Sequence, residues 1–322
     1  MLSLPPKATG PTMYFIGVTT GKSSIMTVFP RWAEALGIDA VPPAARGAVL
    51  KGIDLEIHGP AEDYCQVVEF IKNDPLSLGA LVTTHKIDLL TAARASFDRL
   101  GPYAEILGEV SSISKSDGQL WGHAKDPITS GLALEAFLPV DWWKHSDGEA
   151  LIFGAGGSAL AISMYMMDPR HGENRPAKVV VTNRSQPRLE EMQRIHAKLD
   201  YGVPCEYHHC PEFTQNDAVL ATMPECSLVM NATGLGKDRP GSPITDAGQF
   251  PRRGLAWDFN YRGDLKFIDQ AWAQEADREL IVEDGWIYFI HGWSQVIAEV
   301  FHLELGPEKI DELSRIAADV RK

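Results

Sequence analysis

A glycine-rich turn stands between two apolar runs of the 322-residue chain. Residues 150–153 (ALIF) read as a buried strand and residues 158–167 as a helix, joined by Gly154, Ala155, Gly156, Gly157 and Ser158. Glycines carry no Cβ, so the backbone can turn tightly and approach a pyrophosphate. The helix N-terminus behind them offers unpaired N–H groups and a positive dipole. A turn that merely packs a strand on a helix has the same composition, so a second signal is needed. The next strand, expected at 178–182 (KVVVT), is followed by Asn183, Arg184 and Ser185, with Arg188 a turn later. An NAD site places an acid at that point for the ribose 2′-hydroxyl. A guanidinium there pairs instead with a 2′-phosphate through charge-assisted hydrogen bonds. The bland alternative is a solvated arginine on a helix start, where the dipole mildly disfavours a cation. NADP is therefore the expected cofactor and NAD the lesser alternative.

A metal is the other chemistry to weigh. Cys205 and Cys210 bracket His208 and His209. Cys-x4-Cys with adjacent histidines fits no common zinc pattern, so these read as loose surface residues and no metal is expected. With Cys65 and Cys226 they make four cysteines, too few for a disulfide framework, which points to a reducing, cytoplasmic setting.

The elements that would position such chemistry alternate between β-type and helix-like runs, which argues for an α/β protein with mostly parallel sheets. Strands are expected at 13–18, 52–58 and 79–83, with helices at 26–36 and 63–72. Pro30 is tolerable in the first of these only near its first turn. A hairpin is expected from 111–114 and 119–122, turning at Asp117-Gly118. A second unit is expected to begin with a helix at 132–137 and to continue through the glycine turn. A charged helix at 187–199 and strands at 228–231 and 255–259 follow. Residues 285–305 and the last dozen read as closing helices.

Composition bounds the partners. There are 30 Lys and Arg against 43 Asp and Glu, a formal charge of −13. Such a surface repels phosphodiester backbones and anionic lipid, so neither nucleic acid nor membrane is an expected partner. No apolar run reaches the roughly 18–20 residues of a membrane span. Residues 1–11 carry three prolines and lack the apolar stretch of a signal peptide, so export is not expected.

Several ordered motifs now add up. GVTTGKSSIM at 17–26, VTTHK at 82–86, Gly108 to Ser112, GHAKD at 122–126 and the 154–159 turn come in that order. Asn183-Arg184-Ser185, Asn231-Ala232-Thr233-Gly234 and Asp258-Phe259-Asn260-Tyr261 follow. In this arrangement, from about residue 14 to 301, the chain resembles the shikimate dehydrogenase family. The resemblance implies an N-terminal α/β substrate domain at 1–131, completed by 286–322. It also implies an inserted Rossmann-type NADP-binding domain at 132–285 and a site in the cleft. The catalytic pair falls on Lys86 and Asp126, substrate contacts on Ser23, Thr83, Tyr261 and Gln295, and further cofactor contacts on Asn231, Thr233 and Gly285. The chemistry is sensible in its own terms. Ketone reduction needs a hydride and a proton for the developing alkoxide, which a lysine can give while a carboxylate orients the hydroxyl.

The substrate shell departs from the family pattern. Ser23 keeps the first hydroxyl of the Ser-x-Ser pair, but Ile25 stands at the second. Leu81 and Ala124 replace asparagines, Lys125 and the Ser111-Ser112 pair stand at other polar positions, and one residue is missing between Thr83 and Lys86. Lys22, His85 and Lys125 look like added cations. A shell altered in this way discriminates against a hydroxylated substrate built for the original donors. The expectation is an NADP-dependent alcohol dehydrogenase, monomeric or homodimeric, acting on a shikimate-like cyclic or hydroxy-acid substrate other than shikimate. A non-catalytic, dinucleotide- or metabolite-binding regulatory homologue is the competing reading.

Overall fold

The computed structural model describes residues 4–38, 47–237 and 239–320. The chain divides into two compact units, Met1–Lys125 with Ile290–Lys322, and Asp126–Phe289. The divisions fall there rather than after Gly131 and Gly285.

The first unit contains β1 (Thr12–Gly17), α1 (Ile25–Ala35), β2 (Val49–Asp54), α2 (Ala61–Asn73), β3 (Ser77–Val82) and α3 (Lys86–Ala93). Then come β4 (Arg99–Leu100), α4 (Pro102–Leu107), β5 (Ser112–Ser116) and β6 (Gln119–His123). The sheet order is β2-β1-β3-β5-β6-β4. β1, β2 and β3 run parallel, and β5–β6 is an antiparallel hairpin. Its turn holds Asp117 and Gly118 at φ 52° and 74°, the mirror-image turn that matches strand twist. One face of the sheet packs Tyr14, Ile16, Val82 and Ile113 against Val67, Val68 and Ile71 of α2. Burying an aliphatic side chain of this kind contributes about 1.5–3 kcal/mol.

The second unit contains α5 (Asp126–Glu135), β7 (Ala150–Phe153), α6 (Gly157–Met167), β8 (Val179–Asn183), α7 (Gln186–Leu199) and β9 (Cys205–His209). It continues with α8 (Phe213–Leu220), β10 (Leu228–Asn231), β11 (Leu255–Asp258), α9 (Lys266–Trp272), α10 (Glu275–Arg278) and β12 (Ile281–Glu283). All its strand pairings are parallel, in the order β12-β11-β10-β7-β8-β9. The order reverses beside β7, which is where a doubly wound sheet binds its ligand. Helix α11 (Trp286–Phe301) leads back into the first unit, which α12 (Pro307–Ala318) completes. There Trp32 of α1 donates its indole N–H to Leu313 O at 2.9 Å.

Several expectations need correction. The strand expected at 52–58 runs instead over Val49–Asp54. Ile57 continues the apolar alternation but is exposed, and His58 turns the chain at φ 54°. Pro30 sits past the first turn of α1, on its exposed face, where the lost donor leaves a carbonyl that water can serve. The helix expected at 132–137 begins at Asp126, with Pro127 in its first turn, a position that tolerates proline. The Cys205–His209 segment is an edge strand rather than loose surface. Behind it His196 lies 2.8 Å from Ser163 Oγ and 2.7 Å from Tyr207 OH, joining α6, α7 and β9. Burial lowers His196 to about 4, so this imidazole is neutral. Among the described residues no group of three or more His, Cys, Asp or Glu is placed to hold a metal.

Candidate active site

In the second unit, β7 is buried throughout and ends at Gly154, whose φ is 108°. A Cβ there would lie 2.7 Å from Ala232 O, so only glycine fits the turn. Ala155 is half-buried, Gly156 caps α6, and α6 starts at Gly157 and Ser158. A Cβ on Gly156 would meet nothing within 4 Å, and no side chain caps the helix there. The first N–H groups of a helix have no partner within it. Burial of Ala159, Ile162 and Met166 fixes that helix against the sheet.

After β8, Asn183 Nδ2 donates to Ser185 O at 3.2 Å, and His209 Nε2 lies 3.1 Å from Arg184 O. These bonds shape the bend and leave the Arg184 side chain exposed. Arg188 is exposed as well, but it pairs with Glu191 at 3.0 Å. It is less available to a ligand than Arg184.

Asn231 departs from the expected cofactor role. It is fully buried, and its Nδ2 donates to Leu235 O and Asp258 Oδ2, both at 3.1 Å. Its Oδ1 accepts from Thr233 N–H at 3.2 Å and from Thr233 Oγ1 at 2.6 Å. The Asn231 amide therefore shapes the loop after β10, and the Thr233 hydroxyl is engaged in the same task. Asp258 also accepts from Asn260 N and Nδ2, both at 2.8 Å. Burial pushes Asp258 up to about 7 despite these donors. Gly285 lies where a Cβ would be 2.2 Å from Phe259 O, so it serves close packing ahead of α11. The Tyr261 ring packs on Trp286 and Phe289, with centroids 5.4 and 5.0 Å away.

In the first unit, Lys86 opens α3. Its N–H donates to Thr83 O and its carbonyl accepts from Val110 N–H, both at 3.2 Å. Thr83 Oγ1 donates to Ile16 O at 3.2 Å. His85 is not a cation facing substrate. It is completely buried, between Tyr64 OH at 3.3 Å and Gly17 O at 3.2 Å, and burial lowers its pKa. Ser23 is half-buried in the loop after β1. That loop is tied down by Thr20, whose N–H and Oγ1 donate to Asp54 Oδ1 at 2.8 and 2.6 Å. Ile25, Leu81 and Ala124, the apolar replacements, are all buried, and Gln295 is half-buried on α11.

Lys125 is not a substrate cation either, because its Nζ donates to Glu299. Glu299 also takes His123 Nε2 at 3.1 Å, and these two partners hold its carboxyl down at about 2, the His123 hydrogen bond leading. Asp126 follows directly and is buried; its carbonyl accepts from Ser130 Oγ at 2.7 Å. Glu299 escaped the sequence reading because it belongs to no motif. The only available signal was its place one turn after Gln295.

The second unit is a doubly wound α/β domain with a glycine-turned helix N-terminus at the reversal of strand order, which is the build of a dinucleotide-binding protein. No family model matches the chain. A shikimate dehydrogenase (NADP(+)) of Streptococcus thermophilus is 28% identical over 184 residues, covering 56% of this chain and 59% of that protein. One of Symbiobacterium thermophilum is 29% identical over 188 residues, covering 58% and 60%. The chain thus spans 59% and 60% of the length of these curated relatives. Shikimate 5-dehydrogenase of Thermus thermophilus, solved with NADP(H) and shikimate, has a TM-score of 0.67 at 21% identity, covering 95% of this chain and 99% of that one. Quinate dehydrogenase of Corynebacterium glutamicum, solved with NAD, has a TM-score of 0.74 at 18% identity, covering 96% and 99%. By sequence the chain is similar to these shikimate dehydrogenases over part of their length, and it shares the fold of the solved structures. Among the described residues no helix is long and apolar enough to cross a membrane.

Proposed function

We propose that this protein is an NADP-dependent dehydrogenase that interconverts a secondary alcohol and a ketone on a cyclic or hydroxy-acid substrate. The observation that carries the reading is the β7–α6 turn. Gly154 is locked at φ 108°, and Gly156, the N-cap of α6, leaves nothing within 4 Å of where a Cβ would stand. That cradle suits a pyrophosphate. Arg184, exposed after β8, suits a 2′-phosphate, with Arg188 in reserve. The backbone of Gly154, Ala155, Gly156, Gly157 and Ser158 holds the dinucleotide, and Asn183, Ser185, Thr233 and Gly285 shape the bends around it. NAD is the poorer ligand. NADPH, when bound, supplies the hydride.

Lys86 holds the proton that the developing alkoxide takes, and its charge stabilises that oxygen most in the transition state. Asp126 orients the substrate hydroxyl. Ser23, Thr83, Tyr261 and Gln295 contact the substrate. The first unit, with Ser23, Thr83, Lys86 and Gln295, is accordingly read as the substrate domain, and the second, which also carries Asp126 and Tyr261, as the cofactor domain. A purely regulatory homologue has no use for both Lys86 and Asp126, which favours the enzyme. The acidic composition speaks against nucleic-acid partners, the free cysteines fit a reducing, cytoplasmic setting, and we take the protein as a monomer or homodimer. The direct test follows NADPH formation over a panel of cyclic hydroxy acids. Turnover with at least one supports the reading, and calorimetry that detects no NADP binding contradicts it.

A further inference from the structure

We propose that Glu299 is a positioning residue, clamping the two-residue connection that leads into Asp126. This rests on the assignment of Asp126 to the reaction. β6 ends at His123 and α5 opens at Asp126, so only Ala124 and Lys125 lie between. In extended chain, residues two apart project to the same side. His123 and Lys125 do so, and both reach the carboxylate that α11 presents. His123 Nε2 is 3.1 Å from Oε1, and Lys125 Nζ donates to Oε2. Ser114 Oγ lies 3.2 Å from His123 Nε2 and donates to Glu299 Oε1 at 3.4 Å. The backbone is pinned as well. Lys125 N–H donates to Ser111 Oγ at 2.8 Å, and Ser111 N–H donates to His123 O at 2.9 Å. Ala124 fills the core between these anchors.

The side chains of His123, Lys125 and Glu299 retain 17%, 18% and 24% of their exposure, so water serves none of them well. Without Glu299, the Lys125 ammonium and the His123 ring lose their shared acceptor, and a half-buried charge without a partner is costly. The segment must then shift to rehydrate them. A catalytic group displaced by about 1 Å costs on the order of 10²-fold in rate. Lys125 therefore acts through position, in contrast to a lysine that binds substrate.

The test compares Glu299→Gln, Lys125→Met and Lys125→Arg in the full-length protein with NADP and the hydroxy acid found active. Lys86→Ala serves as the reference. Glu299→Gln and Lys125→Met are expected to lower kcat by about tenfold or more, with KM for NADP within about twofold, and Lys125→Arg to restore most of the rate. In an Asp126→Asn background Glu299→Gln should add little, because both act through one group. Hydrogen exchange at the Lys125 amide, which needs no substrate, should quicken about tenfold in Glu299→Gln. If Lys86→Ala is impaired while Glu299→Gln and Lys125→Met turn over normally, the clamp is only structural and the inference is wrong. Unchanged amide exchange overturns it equally. Normal turnover in Lys86→Ala defeats the reaction assignment instead. Where Glu299→Gln does not fold, Lys125→Met carries the same comparison.

Discussion

Asn231 Nδ2 donates to Asp258 Oδ2 at 3.1 Å across two adjacent, fully buried strand ends. The bond joins the loops after β10 and β11. Burial is the main reason that Asp258 is raised from 3.8 to about 7. A carboxyl whose folded pKa lies above its unfolded value contributes stability that is full below about 4 and lost as pH rises through about 7. The whole effect is worth up to about 4 kcal/mol. Asp258→Asn should therefore flatten the fall in melting temperature between about pH 4 and 7, whatever its absolute cost. Parallel pH–melting curves for the two proteins would show that Asp258 is not the group responsible.

Arg184 and Arg188 differ in availability, since Arg188 is already paired with Glu191. A charge-assisted contact to a 2′-phosphate contributes about 1.5–3 kcal/mol. Arg184→Ala should therefore reduce the preference for NADP over NAD by about tenfold or more, and Arg188→Ala by less. Calorimetry with both cofactors measures the ratios, and an unchanged ratio in Arg184→Ala defeats the NADP assignment.

Gly154→Ala sets a Cβ against the Ala232 carbonyl at 2.7 Å and forces an L-residue to φ 108°. Strain of this kind costs about 1–3 kcal/mol before the clash is added. The variant should melt several degrees lower and bind NADP less tightly. An unshifted melt would show that the turn is not constrained.

Ile25, Leu81 and Ala124 bring no hydroxyl or amide to positions where the family pattern has them. Shikimate should then be a poor substrate. Efficient oxidation, with kcat/KM above about 10⁴ M⁻¹s⁻¹, would show that these positions do not set specificity.

Where composition and period act locally, the fold was legible in the sequence. The runs ALIF and KVVVT are strands because both faces of the parallel sheet are buried, and the Asp117-Gly118 turn fixes its hairpin. The helix start at Asp126 was not legible, because Pro127 reads as a breaker until its place in the first turn is known. The strand Cys205–His209 was missed because an edge strand with a half-exposed polar face carries little apolar signal. In the candidate site, residue type suggested cations that tertiary structure removes. His85 is buried against Tyr64 and the Gly17 carbonyl, and Lys125 is taken by Glu299, a residue 174 positions away. Long-range partners of this kind leave no local trace.

The central claim is that Lys86 and Asp126 carry the proton chemistry, and steady-state kinetics of Lys86→Ala on the substrate found by the NADP-linked screen test it most directly. The expected result is a kcat lowered by about 10²–10⁴-fold with NADP affinity nearly unchanged, and Asp126→Asn impaired in turnover more than in folding. Wild-type turnover in Lys86→Ala, with only the stability change below about 1 kcal/mol of an exposed ion pair, would contradict it.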